Sequence, residues 1–241
     1  MIVFAAVAPH GDMEVDTNIR AAMEELGRRF DAADVETAIV VTPHNIHVEG
    51  HFAVITSARI GRVPCDRPLA AAAIDALRTA GLPVVGVSYG GNDDAAAEMP
   101  LDWGTEIPLA FARAKQVVVI SPARDRPLAE HVRAGEALRA LPGRLALIAS
   151  ADHGHAHDAE GPYGFAPAAA EYDALVQQLV RTTPLRFERL APLVDEAKAD
   201  SLWQLLVLQG AVGETAHLDV LAYAAPTYYG MLVATLDEWA G

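Results

Sequence analysis

The sequence predicts a three-layer α/β/α sandwich on a central sheet that is mostly parallel or mixed, running as one domain over residues 1–241. Three observations carry this expectation. Short runs rich in Val, Ile and Ala lack the in–out alternation of a half-exposed strand, as strands covered on both faces do. Helical patterns separate them. Gly and Pro stand at the junctions and punctuate the alternation.

The elements follow in order. Ile2–Ala8 is the first strand and stops at Pro9. Thr17–Arg29 carries Ile19, Met23 and Leu26 at helical spacing, and Asp12, Glu14 and Asp16 before it read as turn and helix-start residues. Thr37–Val41 and Phe52–Thr56 are strands joined by a short link, so a hairpin between them would make the sheet mixed. Pro68–Ala80 is an Ala/Leu-rich helix that stops at Gly81. Val84–Val87 runs into a glycine turn at 88–94. That turn lacks both the lysine of a phosphate loop and the spacing of a dinucleotide loop, so it reads as backbone lining a cleft. A loop from Pro100 enters a helix near Trp103. Strand Gln116–Ile120, helix Ala129–Ala140, strand Leu145–Ala149 and helix Pro167–Thr182 repeat the pattern. Leu190–Gly210 reads as two helices, the first opened by Pro192 and the second, Ser201–Gln209, strongly apolar. Asp219–Tyr223 and Tyr229–Thr235 close the chain as strands around Pro226.

Composition narrows the function. A 52% hydrophobic chain of 241 residues has ample material for a core. A formal charge of −14 argues against nucleic acid, whose phosphates need a basic face. Charge or proline breaks every apolar run short of a membrane span. With no basic leader ahead of the first strand, cytoplasmic residence is expected. The one cysteine, Cys65, excludes an intrachain disulfide and a Cys-rich zinc site.

Histidine placement says more. Seven of the nine histidines fall in three segments, each directly after a strand. His10 and His44 both follow a proline, where the hydrogen-bond ladder must stop and the chain turns out of the sheet. His47 and His51 trail His44, and either can replace it as a ligand. The third segment is Asp152-His153-Gly154-His155-Ala156-His157. On an extended chain its three imidazoles share one face, and a histidine there suits acid/base work. Open α/β sheets gather such residues at the carboxyl ends of their strands. A two-histidine, one-carboxylate iron centre then needs an acid, with Asp200 and Glu196 as the candidates. Trp103 is either a core aromatic or the wall of a pocket for a flat ring.

Taken together these segments resemble the class III extradiol ring-cleavage dioxygenases, the LigB-like superfamily, to which the Memo-like proteins are related. The resemblance rests on Ala-Pro-His, Thr-Pro-His-Asn, Asp-Trp-Gly-Thr-Glu-Ile-Pro-Leu, Ile-Ala-Ser-Ala-Asp-His-Gly-His, Leu-Gln-Gly-Ala and Tyr-Tyr-Gly-Met-Leu, in that order. It implies Fe(II) held by His10 and His44; the family's third ligand falls on Ser201 by ungapped counting, so its neighbour Asp200 is expected to supply the carboxylate, with Glu196 as the fallback. It implies His155 as acid/base, with His153 beside it, and a pocket lined by Trp103, His47 and Tyr228. It implies molecular oxygen and a small aromatic diol as substrates, with a homodimer expected from relatives and the apolar C-terminal segment. Many active relatives carry Asp-His-Gly where this chain reads Asp102-Trp103-Gly104. That departure keeps two alternatives open: a Memo-like binding protein without ring-opening chemistry, and a zinc-dependent hydrolase on the same ligands.

Overall fold

The computed structural model describes residues 1–90, 93 and 96–236. Eight strands form one sheet: β1 (Ile2–Ala8), β2 (Thr37–Val41), β3 (Phe52–Ile55), β6 (Val84–Val87), β8 (Gln116–Ser121), β9 (Leu145–Ser150), β10 (Leu218–Ala224) and β11 (Met231–Leu236). Their spatial order is β10-β11-β1-β9-β2-β8-β3-β6. The four central strands, β1, β9, β2 and β8, run parallel. β11 joins β1 antiparallel on one side, and β3 joins β8 antiparallel on the other, so the sheet is mixed.

The expected hairpin between β2 and β3 does not form. β8 lies between them: Thr37–Val41 is buried along its whole length, with a parallel neighbour on each edge. Three further pieces, β4 (Arg59–Ile60), β5 (Val63–Pro64) and β7 (Glu98–Met99), make a small second sheet. At two residues each they carry no periodicity to read. The glycine turn after β6 lies partly outside the described residues.

Helices cover both faces. α1 (Thr17–Ala32), capped by the Asp16 carboxylate as its sequence suggests, packs with α3 (Trp103–Phe111) on one side. α2 (Arg67–Thr79), α4 (Leu128–Arg139) and α7 (Leu202–Val212) pack on the other. α5 (Pro167–Leu179), a 3-10 turn at Phe187–Leu193 and the short α6 (Val194–Ala197) adjoin α7.

The α4–α7 contact fixes the last helix. A Cβ on Gly135 would fall 2.0 Å from the Val207 carbonyl oxygen, and one on Gly210 would fall 1.9 Å from that of Val132. The two backbones therefore meet with no side chain between them. At the other end of α7, Gln204 Nε2 donates to the Ser150 carbonyl at 3.2 Å, tying the helix entrance to the end of β9. Among the described residues no helix is long and apolar enough to cross a membrane.

Candidate metal centre

The four parallel strands end side by side, and the chain just beyond each one reaches a single pocket. His10 follows β1, Asp152 follows β9, His44 follows β2 and Arg124 follows β8. The entrance of α3 adds Trp103, and the turn before α7 adds Asp200. The cavity holds about 880 Å³.

Two imidazoles meet at its floor. His10 Nε2 and His44 Nε2 lie 2.9 Å apart, and Asp200 Oδ2 is 3.6 Å from the latter. Among the described residues, one ligand atom each from His10, His44 and Asp200 fall within 4.8 Å of one another.

Hydrogen bonds set the tautomer of His10. The Ser150 hydroxyl donates to the Gly104 carbonyl in a short bond, so toward His10 Nδ1, 2.9 Å away, it can only accept. Nδ1 then carries the proton and Nε2 presents its lone pair to the cavity. The His10 backbone N–H also donates to Asp152 Oδ1 at 3.1 Å. Gly104 is essential to this corner: a Cβ there would sit 2.4 Å from Thr42 Oγ1 and 3.3 Å from the His44 ring. Asp102 caps α3 and gathers Thr42, Asn45 and Thr105 hydroxyl or amide donors, binding the end of β2 to the start of α3.

The site is electrostatically frustrated without a cation. Burial, then the charge of His44, holds His10 well below the usual histidine range. Burial brings His44 down to about 4 against the opposing pull of Asp102. Burial pushes Asp200 up to about 7, opposed by Arg124. Burial and the nearby charge of Asp200 raise Asp152 well above an ordinary carboxylic acid. Asp200 Oδ1 is buried without a partner. Two neutral imidazoles and a carboxylate with an unpartnered oxygen fit a divalent ion, and the donor set suits iron or zinc alike.

The remaining walls are aromatic. Trp103 lies 4.7 Å from the His44 ring and is 57% exposed at the mouth. Tyr163, Tyr228 and Tyr229 surround His155 at about 6 Å between ring centroids. His155 Nδ1 is 2.8 Å from the His153 carbonyl, which can only accept, so Nε2 is left with the lone pair. Burial lowers the affinity of His155 for a proton, and the His153 carbonyl, the charge of Asp173 and the Lys198 backbone oppose that.

Three expected site residues stand elsewhere. His153 is fully buried behind the pocket, its Nδ1 2.9 Å from Ser201 Oγ. The shared face expected for His153, His155 and His157 fails because residues 153–156 are not a strand; the three rings have three different surroundings. His47 lines a neighbouring hollow with Ile46 and Ser121, carried outward by the turn that follows Pro43. Glu196 is exposed on α6 and does not line the cavity.

Asp152 and Arg124 line the pocket without having been singled out. Asp152 was masked by the histidines around it, although its place directly beyond β9 matches that of His10 beyond β1. Arg124 sits 5.0 Å over the Trp203 ring and makes no ion pair among the described residues.

The model of the family described as the catalytic LigB subunit of aromatic ring-opening dioxygenase matches residues 1–231. No curated protein matched the sequence. The crystal structure of the uncharacterized protein JW3007 from Escherichia coli K12 is similar with a TM-score of 0.66 and 18% identity, over 97% of this chain and 99% of that one. At that identity the likeness concerns the fold.

Proposed function

We propose that this chain, which belongs to the family of the catalytic LigB subunit of aromatic ring-opening dioxygenase, opens the ring of a catechol-type substrate beside one hydroxyl, using Fe(II) held by His10, His44 and Asp200. The observation that carries this reading is the convergence of those three side chains at the floor of an aromatic-walled pocket. Ferrous iron bound there supplies the redox chemistry that couples molecular oxygen to an electron-rich ring.

The chain's own residues supply the rest. Trp103, at the start of α3, and Tyr228, on the turn before β11, both line the pocket and offer flat surfaces for a planar ring. Ile107 and Val194 keep part of the lining apolar. His155 presents an unprotonated Nε2 to the cavity, placed to take a proton from a diol hydroxyl and return it later. His153, sealed behind Ser201, has no path to that proton.

Anaerobic loading with Fe(II), followed by addition of catechols and oxygen, tests the reading. Oxygen uptake with a yellow ring-opened product is expected, and none with zinc in place of iron. An iron-loaded protein that consumes no oxygen across a broad catechol panel would falsify it.

A second reading has one observation in its favour. Trp103 stands where many relatives carry a histidine, which leaves His155 as the one histidine of the pocket beyond the two at its floor. A Memo-like binding protein needs no second proton-handling group. It would bind catechols to the metal-loaded protein without consuming oxygen.

A further inference from the structure

Of the three histidines in its segment, His155 alone lines the pocket, and residues 153–156 are not a strand. Something must hold it. Gly154, just before His155, and His157, two residues after it, are bound to one carboxylate. Gly154 N–H donates to Asp173 Oδ1 at 2.7 Å. His157 Nε2 lies 2.8 Å from Asp173 Oδ2, and the Tyr223 hydroxyl donates to the same oxygen at 2.8 Å. Asp173 belongs to α5 and is 1% exposed. No Lys or Arg pairs with it among the described residues, so these N–H and O–H groups offset its burial.

The packing around this carboxylate is full. A Cβ on Gly230 would fall 1.8 Å from Asp173 Oδ2, and one on Gly154 would fall 2.8 Å from Ala169 Cα. Gly154 and Gly230 also clamp the segment directly: Gly230 N–H donates to the Gly154 carbonyl at 3.0 Å, and His153 N–H donates to the Gly230 carbonyl at 2.8 Å. Tyr228 and Tyr229, the pocket wall beside His155, immediately precede Gly230. His157 N–H donates to the Tyr228 carbonyl at 3.2 Å.

We infer that Asp173 is a positioning residue: by binding Gly154 on one flank of His155 and His157 on the other, and β10 through Tyr223, it holds the proton-handling imidazole and the Tyr228–Tyr229 wall in one register. It touches neither the pocket nor the metal ligands, so its effect passes through His155. The role rests on the reading of His155 given above, but the holding of the ring can be measured without any turnover.

The test is NMR of the imidazole nitrogens in the metal-free protein, which reports the tautomer of each histidine. Wild type is expected to show His155 as a single Nδ1–H tautomer. Asp173→Asn turns an amide N–H₂ toward groups that are themselves donors, and should convert that signal to a tautomer mixture or broaden it away. If that variant does not fold, His157→Leu and Tyr223→Phe each remove one contact at the surface of the network. His157→Leu should lose the single tautomer and His157→Gln, which keeps a donor, should restore it. His10 signals should stay unchanged in all of them. A His155 spectrum identical to wild type in both Asp173→Asn and His157→Leu overturns the inference. A protein that shows these changes yet cleaves no catechol would sink the proposed activity and leave the role of Asp173 intact.

Discussion

At the sheet end of the pocket, His10 has its backbone N–H bound to Asp152, its Nδ1 bound to Ser150, and 2% of its surface exposed. At the helix end, Asp200 has a buried Oδ1 without a partner, and its chain arrives through a left-handed residue, Lys198, at φ 54°. The first corner is preorganised by the sheet, since strand ends are fixed by ladders on both sides. The second is held by a turn and by whatever ion satisfies Asp200. A metal centre assembled this way keeps its two nitrogens in place when empty and gains its oxygen ligand on binding.

The largest expected effect breaks the preorganised corner outright. His10→Ala or His44→Ala should lower bound metal from about one ion per chain to near none, because two ligands rarely hold a divalent ion against solvent. Metal analysis after dialysis reads this directly. Undiminished stoichiometry in either variant would remove that imidazole from the site.

Asp200→Asn tests the other corner. Metal affinity should fall by at least about 100-fold, while Glu196→Gln leaves it unchanged, in a competition titration with a chromophoric chelator. The same variant has an opposite effect on the empty protein. Folding raises the Asp200 carboxyl from 3.8 to about 7, so across that window the folded chain holds a proton the unfolded chain has released. Stability of the metal-free wild type therefore loses this contribution as pH rises from about 4 to about 7. Asn is neutral throughout. Urea midpoints in a chelator should show Asp200→Asn gaining on wild type over that range, by up to about 4 kcal/mol. A difference that stays flat with pH would show that Asp200 is not the frustrated group.

Ser150→Ala sharpens the contrast by leaving all three ligands in place. It removes the acceptor that fixes the His10 tautomer and leaves the Gly104 carbonyl unpaired. A loss of about 10-fold in metal affinity is expected, with about 1–3 kcal/mol of stability. Affinity equal to wild type would mean that strand geometry alone aims the ring.

The same division explains what could be read from the sequence. Pro-His after an apolar run marks a strand end by the chemistry of proline, so the placing of His10 and His44 at strand ends was legible locally, whereas a site could be read only from the two together with the third histidine segment. The parallel core was legible for a similar reason: Thr37–Val41 and Leu145–Ser150 have no polar face to expose. Asp200 was visible only as one of two acids near an apolar helix, because its approach depends on how α7 seats against α4 through Gly135 and Gly210. The segment after β9 misled in detail. Alternation implies a shared face only in extended backbone, and here backbone pairing with Gly230 and Ala197 replaces the strand. The insertion of β8 between β2 and β3 is likewise a long-range choice with no local mark.

The smallest effect probes the turn that delivers Asp200. Lys198 adopts φ 54° and ψ 35°, a left-handed conformation in which a Cβ crowds the carbonyl. Lys198→Gly removes that crowding at the cost of a more flexible unfolded chain, so the two terms nearly cancel and a gain of about 0.5 kcal/mol is expected. Metal affinity should stay within about twofold of wild type if backbone preference at this residue only shapes the turn. Should affinity fall well beyond that while stability rises, the turn is held open by strain at Lys198, and Asp200 is aimed at the imidazoles before any ion arrives. The helix corner would then be as preorganised as the sheet corner, and the contrast between them would disappear.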